Sequence, residues 1–288
     1  MGRHQLRDAL NGLMRVSRIA AFSFGESGGN PAGVALCDAL PPPETMQRIA
    51  ADIGYSETAF AAPEDGKWRV RYFAPEAEVD FCGHATIALG AALALDRGGG
   101  RFPLLINKGE ISVEAAAEGA AITAALQSPP TSSRRAPDAL VTDALALFGF
   151  APEHLDPRIP PAIANAGVDH LILALQDRAA LAAMRYALEA GRALMNSAGL
   201  VTISLVHAES ERRFHARNPF ASGGVYEDPA TGAAAAALAG YLRDLGWPHG
   251  GSIEILQGED MNVPSRLVAE ISPEPGSSIR VSGTARLI

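Results

Sequence analysis

Apolar positions recur along the chain with two periods, and each period predicts a different element. Residues 16–24 read as a strand, ended by Gly25-Glu26-Ser27-Gly28-Gly29. Residues 33–37 form a short apolar strand, and 44–53 have helical spacing with Met46, Ile49, Ala50 and Ile53 on one face. Strands follow at 57–61 and 68–73, where Trp68, Val70 and Tyr72 alternate with Arg69 and Arg71 as on a half-buried sheet. Residues 84–95 predict a helix apolar on all sides, a pattern that belongs to a helix buried all round. Strand patterns near 104–107, 111–115 and 121–126 complete this half. The polar, proline-containing stretch 128–137 reads as an interdomain linker. Beyond it come a strand at 170–175, a helix at 178–190, strands at 201–206 and 213–217, and a second small-residue helix at 231–245. Strands at 252–256 and 266–271 follow, and Ser272-Pro273-Glu274-Pro275-Gly276 precedes two final strands around 279–281 and 285–288.

The order of elements is an internal repeat. Ala85-Thr86 opens the first apolar helix and Ala230-Thr231 the second, 145 residues later. Gly83-His84-Ala85-Thr86 can be laid over Asp228-Pro229-Ala230-Thr231, and each is preceded by a helix and two strands. Two similar α+β halves create a cleft between them, a favoured place for a ligand. A helix start leaves backbone N–H groups unpaired and carries partial positive charge. Two such starts facing one cleft make a cradle for a carboxylate. Asp228-Pro229 reads as an N-cap followed by proline in the first turn.

Composition narrows the function classes. The chain has 288 residues, which suggests about two domains, and 48% hydrophobic with 19% charged residues is ordinary globular content. A net charge of −8 without a Lys/Arg run argues against nucleic acid and anionic membrane as partners. The two cysteines, Cys37 and Cys82, exclude a disulfide framework and point to a reducing, cytoplasmic setting. No apolar run is long enough to span a bilayer. Residues 1–15 are charged throughout, lack the features of a signal peptide, and read as an extra helix or a tail. Cys-x-x-Cys, His-Glu-x-x-His, dinucleotide and P-loop patterns are absent, so no metal or cofactor is expected. Gly25-Glu26-Ser27-Gly28-Gly29 fits a serine-nucleophile pattern, but Asn30-Pro31 follows in place of the required helix.

Four segments occur in a telling order: Gly29-Asn30-Pro31, Ser56-Glu57-Thr58-Ala59-Phe60, Asp80-Phe81-Cys82-Gly83-His84-Ala85-Thr86 and Glu227-Asp228-Pro229-Ala230-Thr231-Gly232. Gln257-Gly258 with Pro264-Ser265 adds a fifth. Together they resemble the PhzF-like family, the phenazine-biosynthesis isomerase group, from about residue 15 to the last residue given. The resemblance implies the diaminopimelate-epimerase-like α+β fold, two pseudo-symmetric domains with a curled β-sheet around a central helix in each. The expected division is 16–128 plus 276–288 for the half with Glu57 and His84, and 129–275 for the half with Asp228. It also implies a cofactor-independent isomerase, assembled as a homodimer, acting on a small carboxylate-bearing metabolite. Glu57 would be the general acid/base. Asn30, Gly83, His84, Asp228, Gly232 and Ala233 would bind substrate, with backbone N–H groups at Gly83–His84 and Gly232–Ala233 holding its carboxylate.

Two departures bear on substrate and chemistry. Phenazine-type members carry Ser after Thr-Gly, where this chain has Ala233, so its preferred substrate is expected to differ from the phenazine precursor. Cys82 stands where related epimerases carry one of two catalytic thiols, and no cysteine lies near Asp228 to supply the second. Three readings remain open at this point. They are a Glu57 isomerase, an epimerase, racemase or dehydratase that uses Glu57 with Cys82 as second acid/base, and a non-catalytic small-molecule binding protein.

Overall fold

The computed structural model describes residues 15–118 and 121–288, which form two compact units, each with strands curled against one apolar helix. The expected helix or tail at the N-terminus falls, but for Arg15, outside the described residues.

The first unit comprises the described residues up to Glu26, those of 31–126, and Gly283–Ile288. Its strands are β1 (Val16–Ser23), β2 (Asn30–Leu36), β3 (Thr58–Glu64), β4 (Lys67–Phe73), β5 (Glu78–Val79), β6 (Gly100–Ile106), β7 (Gly109–Glu118) and β8 (Ala121–Pro130), whose last part lies in the second unit. Its helices are α1 (Pro43–Ile53) and α2 (Gly83–Arg97). Parallel neighbours need a long crossover, and the helices supply it. Helix α1 joins the parallel pair β2–β3, and α2 joins the parallel pair β4–β6. Strand β4 also pairs antiparallel with β3 and β5, while β6, β7 and β8 form an antiparallel meander. Helix α2 packs on β1, β3, β6 and β7, which buries every residue from His84 to Ala94. Close approach explains its small residues: a Cβ at Gly90 would lie 2.6 Å from Val113 Cγ2 on β7.

The second unit comprises Ser27–Asn30 and Gln127–Ser282. It contains β9 (Ser132–Arg135), α3 (Asp138–Phe148), β10 (Ala162–Asn165), β11 (Asp169–Ala174), α4 (Arg178–Ala182), α5 (Leu188–Ala198), β12 (Thr202–Ala208) and β13 (Arg213–Phe220). Then come β14 (Val225–Asp228), α6 (Gly232–Leu245), β15 (Ser252–Gln257), β16 (Ser265–Glu270) and β17 (Ser278–Leu287), whose last part lies in the first unit. Strand order repeats the first unit. The pair β11–β12 is parallel across α4 and α5, and β13–β15 is parallel across α6. A short strand, β14, pairs antiparallel with β13 as β5 does with β4. Helix α6 is buried from Ala234 to Arg243 against β9, β10, β11, β15 and β16.

Several elements differ from the sequence reading. Residues 128–137 are not a loose linker: β8 runs through Pro130, and β9 pairs antiparallel with β10. Their polar side chains suit an exposed strand face, where Arg134 donates to Asp169 Oδ2 at 2.7 Å. Helix α3 and strand β10 lie in a stretch given no element. The helix expected at 178–190 is two, α4 and α5, because Ala187 is extended and Tyr186 packs over Gly191. The two final strands are one, β17. The chain passes between units at 126/127 and 282/283, against an expected 128/129 and 275/276, and it also crosses at 26/27 and 30/31.

Candidate active site

Glu57 stands one residue ahead of β3, at the end of the α1 crossover. The β2–β3 register places Gly33 beside Thr58, and Gly33 N–H donates to the Glu57 carbonyl at 3.2 Å. This fixes the backbone at the strand start, so the side chain of Glu57 enters the unit and is only 9% exposed. Its Oε2 is buried and accepts no hydrogen bond, although His84 Nε2 lies 3.4 Å away.

His84 is the second residue of α2, and its ring is shared. Nε2 faces Ser56 Oγ at 3.3 Å as well as Glu57, while Nδ1 faces Cys82 Sγ at 3.2 Å. Cys82 occupies the N-cap position with extended backbone, and no side chain caps α2. Thr86 anchors the turn by donating to the Cys82 carbonyl from both N–H, at 3.0 Å, and Oγ1, at 2.7 Å. Tyr72 from β4 meets Thr86 Oγ1 at 2.7 Å, and burial pushes the Tyr72 hydroxyl well up, so it stays neutral. The first unit thus gathers Glu57, Cys82 and His84 beside a helix start with no side-chain cap.

The second unit gathers Asn30, Asp228, Gly232 and Ala233. Asp228 ends β14, and the N-cap of α6 is Thr231, not Asp228. The expectation of an Asp-Pro cap fails because three residues separate the aspartate from the helix. Each carboxylate oxygen of Asp228 is engaged instead: Oδ1 accepts from Asn30 Nδ2 at 2.7 Å, and Oδ2 accepts from Thr231 Oγ1 at 2.5 Å. Gln257 braces the same loop, donating to the Asp228 carbonyl at 2.6 Å and accepting from Thr231 N–H at 3.1 Å. Gln257 was visible in the sequence only as part of the fifth matching segment. Backbone crowding accounts for that segment. A Cβ at Gly28 would lie 1.9 Å from the Pro264 carbonyl oxygen, and one at Gly258 would lie 2.4 Å from that of Val263. The glycine-rich segment 25–29 is therefore a close backbone approach, with Gly29 N–H donating to the Pro264 carbonyl at 3.1 Å. Glu227 and Asp228, ambiguous in sequence, separate in role: Glu227 is buried against Arg217, with Arg217 Nε donating to Oε1 at 2.8 Å.

Aligning the units by topology corrects the repeat. Helix starts put Gly83-His84 opposite Gly232-Ala233, with Cys82 opposite Thr231. The strands that follow the first crossovers put Glu57-Thr58 opposite Val201-Thr202. The second unit therefore has a valine, a threonine and an alanine where the first has glutamate, cysteine and histidine. No helix among the described residues is long and apolar enough to cross a membrane.

Comparison with known proteins agrees with this architecture. The family model described as phenazine biosynthesis-like protein (PhzC-PhzF) matches residues 19–288. The trans-2,3-dihydro-3-hydroxyanthranilate isomerase of Pseudomonas aeruginosa is 33% identical over 92% of this chain and 94% of its own length. Among solved structures, a PhzF-family phenazine biosynthesis protein of Bacillus anthracis superposes with a TM-score of 0.83 at 22% identity, covering 95% of this chain and 96% of that one. A probable proline racemase of Agrobacterium radiobacter shares the fold at a TM-score of 0.65 and 11% identity, over 96% of this chain and 91% of that one. The two units, each with strands curled round one central helix, are those of the epimerase-like α+β fold. With the family model matching all but the first eighteen residues, the chain belongs to the PhzC-PhzF, phenazine biosynthesis-like, family.

Proposed function

We propose that this protein is an isomerase that moves a proton between two carbons of a small carboxylate-bearing metabolite, with Glu57 as the acid/base. The observation that carries the reading is the buried Glu57 carboxylate, with one oxygen that accepts no hydrogen bond. Such an oxygen is available to a C–H proton. The name of the Pseudomonas aeruginosa relative supports an isomerase.

Glu57 takes a proton from an activated carbon of the bound acid, holds it as a carboxylic acid, and returns it to a second carbon of the same face. The His84 imidazole lies beside the carboxylate and orients it. Backbone N–H groups at Gly83–His84 receive negative charge on the substrate, whether its carboxylate or the charge that develops during transfer. In the second unit Gly232–Ala233 open α6 as Gly83–His84 open α2, and Asn30 and Asp228 frame the loop ahead of it. Topology supports one-base chemistry, because Val201, the counterpart of Glu57 in the repeat, is no acid. Ala233 in place of a serine hydroxyl supports a substrate other than the phenazine precursor. The reading is tested by incubating the protein with candidate unsaturated or amino acids in D₂O and following mass gain and double-bond position. Positioned acid/base catalysis contributes about 10²–10⁴-fold, so Glu57→Gln should lose at least the lower figure with folding intact. Turnover near that of the parent would remove Glu57 from the mechanism.

A second reading has one observation in its favour: Cys82 Sγ is 3.2 Å from the same imidazole that faces Glu57. Epimerisation with the thiol as second acid/base would be abolished by alkylation or Cys82→Ser, whereas one-base isomerisation would largely survive both.

A further inference from the structure

The sequence holds no metal motif, because the side chains that could make a site are split between a strand start and a helix start. Folding brings them together: one ligand atom from each of Glu57, Cys82 and His84 lies within 4.8 Å of the others. We propose that these three side chains form an inhibitory site for a thiophilic divalent cation of the zinc class.

The donor set decides the metal class. A thiolate with an imidazole suits zinc or cadmium and is a poor set for magnesium or calcium, which take oxygen ligands. Geometry also fits. Zinc–nitrogen and zinc–oxygen bonds of about 2.0 Å and a zinc–sulfur bond of about 2.3 Å give tetrahedral edges of about 3.3 Å for N···O and about 3.5 Å for N···S. The observed distances from His84 Nε2 are 3.4 Å to Glu57 Oε2 and 4.0 Å to Cys82 Sγ. The N···O edge already has this length, the sulfur must close toward both partners from distances within 4.8 Å, and Cys82 is not fully buried. Glu57 Oε2 is the independent sign of a ligand, being buried without a hydrogen bond. Three protein ligands leave a fourth position for water or a substrate oxygen. On binding, the Cys82 thiol gives its proton to solvent and its sulfur bonds the metal, with no change of oxidation state. No equivalent exists in the second unit, where Val201, Thr231 and Ala233 take the corresponding positions.

Metal binding stands independently of the proposed isomerisation. Only its consequence, that a metal on Glu57 stops proton transfer, rests on that reading. The test is a Cd²⁺ titration of the full chain without substrate, followed by the ultraviolet thiolate-to-cadmium band, with Zn²⁺ as competitor. The expected result is one equivalent per chain, a band lost in Cys82→Ser and kept in Cys37→Ser, and affinity at least tenfold weaker in both His84→Gln and Glu57→Gln. An absent band, a band that survives Cys82→Ser, or a loss smaller than tenfold in either of the other variants overturns the three-ligand site. Should His84→Gln fail to fold by circular dichroism, Glu57→Gln and Cys82→Ser decide. Because no turnover is measured, failure here leaves the isomerase reading intact, and the D₂O experiment can fail without touching this one.

Discussion

Removing one member of the Arg217–Glu227 pair should be among the most damaging single changes in the second unit. The two side chains are 6% and 3% exposed, and Arg217 meets both carboxylate oxygens of Glu227. The remaining guanidinium nitrogen, Nη1, donates to the Ala182 carbonyl at 2.9 Å, so the arginine also ties down the end of α4. Burial works to lower the Arg217 guanidinium, and the hydrogen bond to Glu227 together with the charges of Glu227 and Asp260 more than offsets it, so the group stays charged. Arg217→Met leaves a buried carboxylate unpaired and strands the carbonyl at the helix end. Breaking a buried pair from one side typically costs about 3–5 kcal/mol, against a total domain stability of about 5–15. Replacing both partners, Arg217→Met with Glu227→Leu, removes the stranded charge and should cost less than either single change. Urea unfolding of the three variants, read by far-ultraviolet circular dichroism and by tryptophan fluorescence, gives the cycle. Single variants that lose less than about 1 kcal/mol, or a double variant equal to the sum of the singles, would refute the argument.

Acid should weaken the second unit through His170, whose buried ring is held neutral down to about 4 rather than its ordinary 6.5. The folded value is the lower one, so this contribution is complete above pH 6.5 and is lost as pH falls toward 4, about 3 kcal/mol in all, and His170→Gln should flatten urea midpoints across that range. Gly90→Val overpacks α2 against Val113 and should cost at least 1–3 kcal/mol, about the typical overpacking penalty, whereas a Gly54→Ala control meets open space and pays only for its left-handed backbone. Thr231→Val removes the hydroxyl that binds Asp228 and Gln257, for a loss of about 1–3 kcal/mol in thermal or urea unfolding.

The Glu57–Cys82–His84 cluster of the candidate site drew on segments legible in the sequence because chemistry and backbone constraint coincide there. Glu57 beside Thr58, and Cys82-Gly83-His84 ahead of an uncharged helix, are unusual enough locally to stand out, and they meet in space. Reading Asp228 as a helix cap failed because Asp-Pro satisfies a cap pattern locally, while the partners of the carboxylate, Asn30 and Thr231, are set by tertiary contacts. The offset of the repeat failed for the same reason: it was anchored on a shared Ala-Thr pair, whereas the folded helices begin at Gly83 and Gly232. The supposed linker became strand because polarity alone does not separate a loop from the exposed face of β9, whose partner β10 comes some thirty residues later. Arg217 gave no signal, since a lone arginine in a strand is ordinarily a surface residue.

The shared strand β17 imposes an order of events on biosynthesis. Residues Ala285, Arg286 and Leu287 lie opposite Ala21, Ala20 and Ile19 of β1, so β1 waits for the end of β17. At about 5–20 residues per second, translation from the end of β7 to that partner takes on the order of 10–30 seconds. During that interval the apolar row Ile19, Ala20, Ala21 and Phe22, fully covered in the finished molecule, lacks this neighbour and offers a sticky edge to other nascent chains. The second body, continuous apart from one short insertion of four early residues, can close first and then deliver the missing strand.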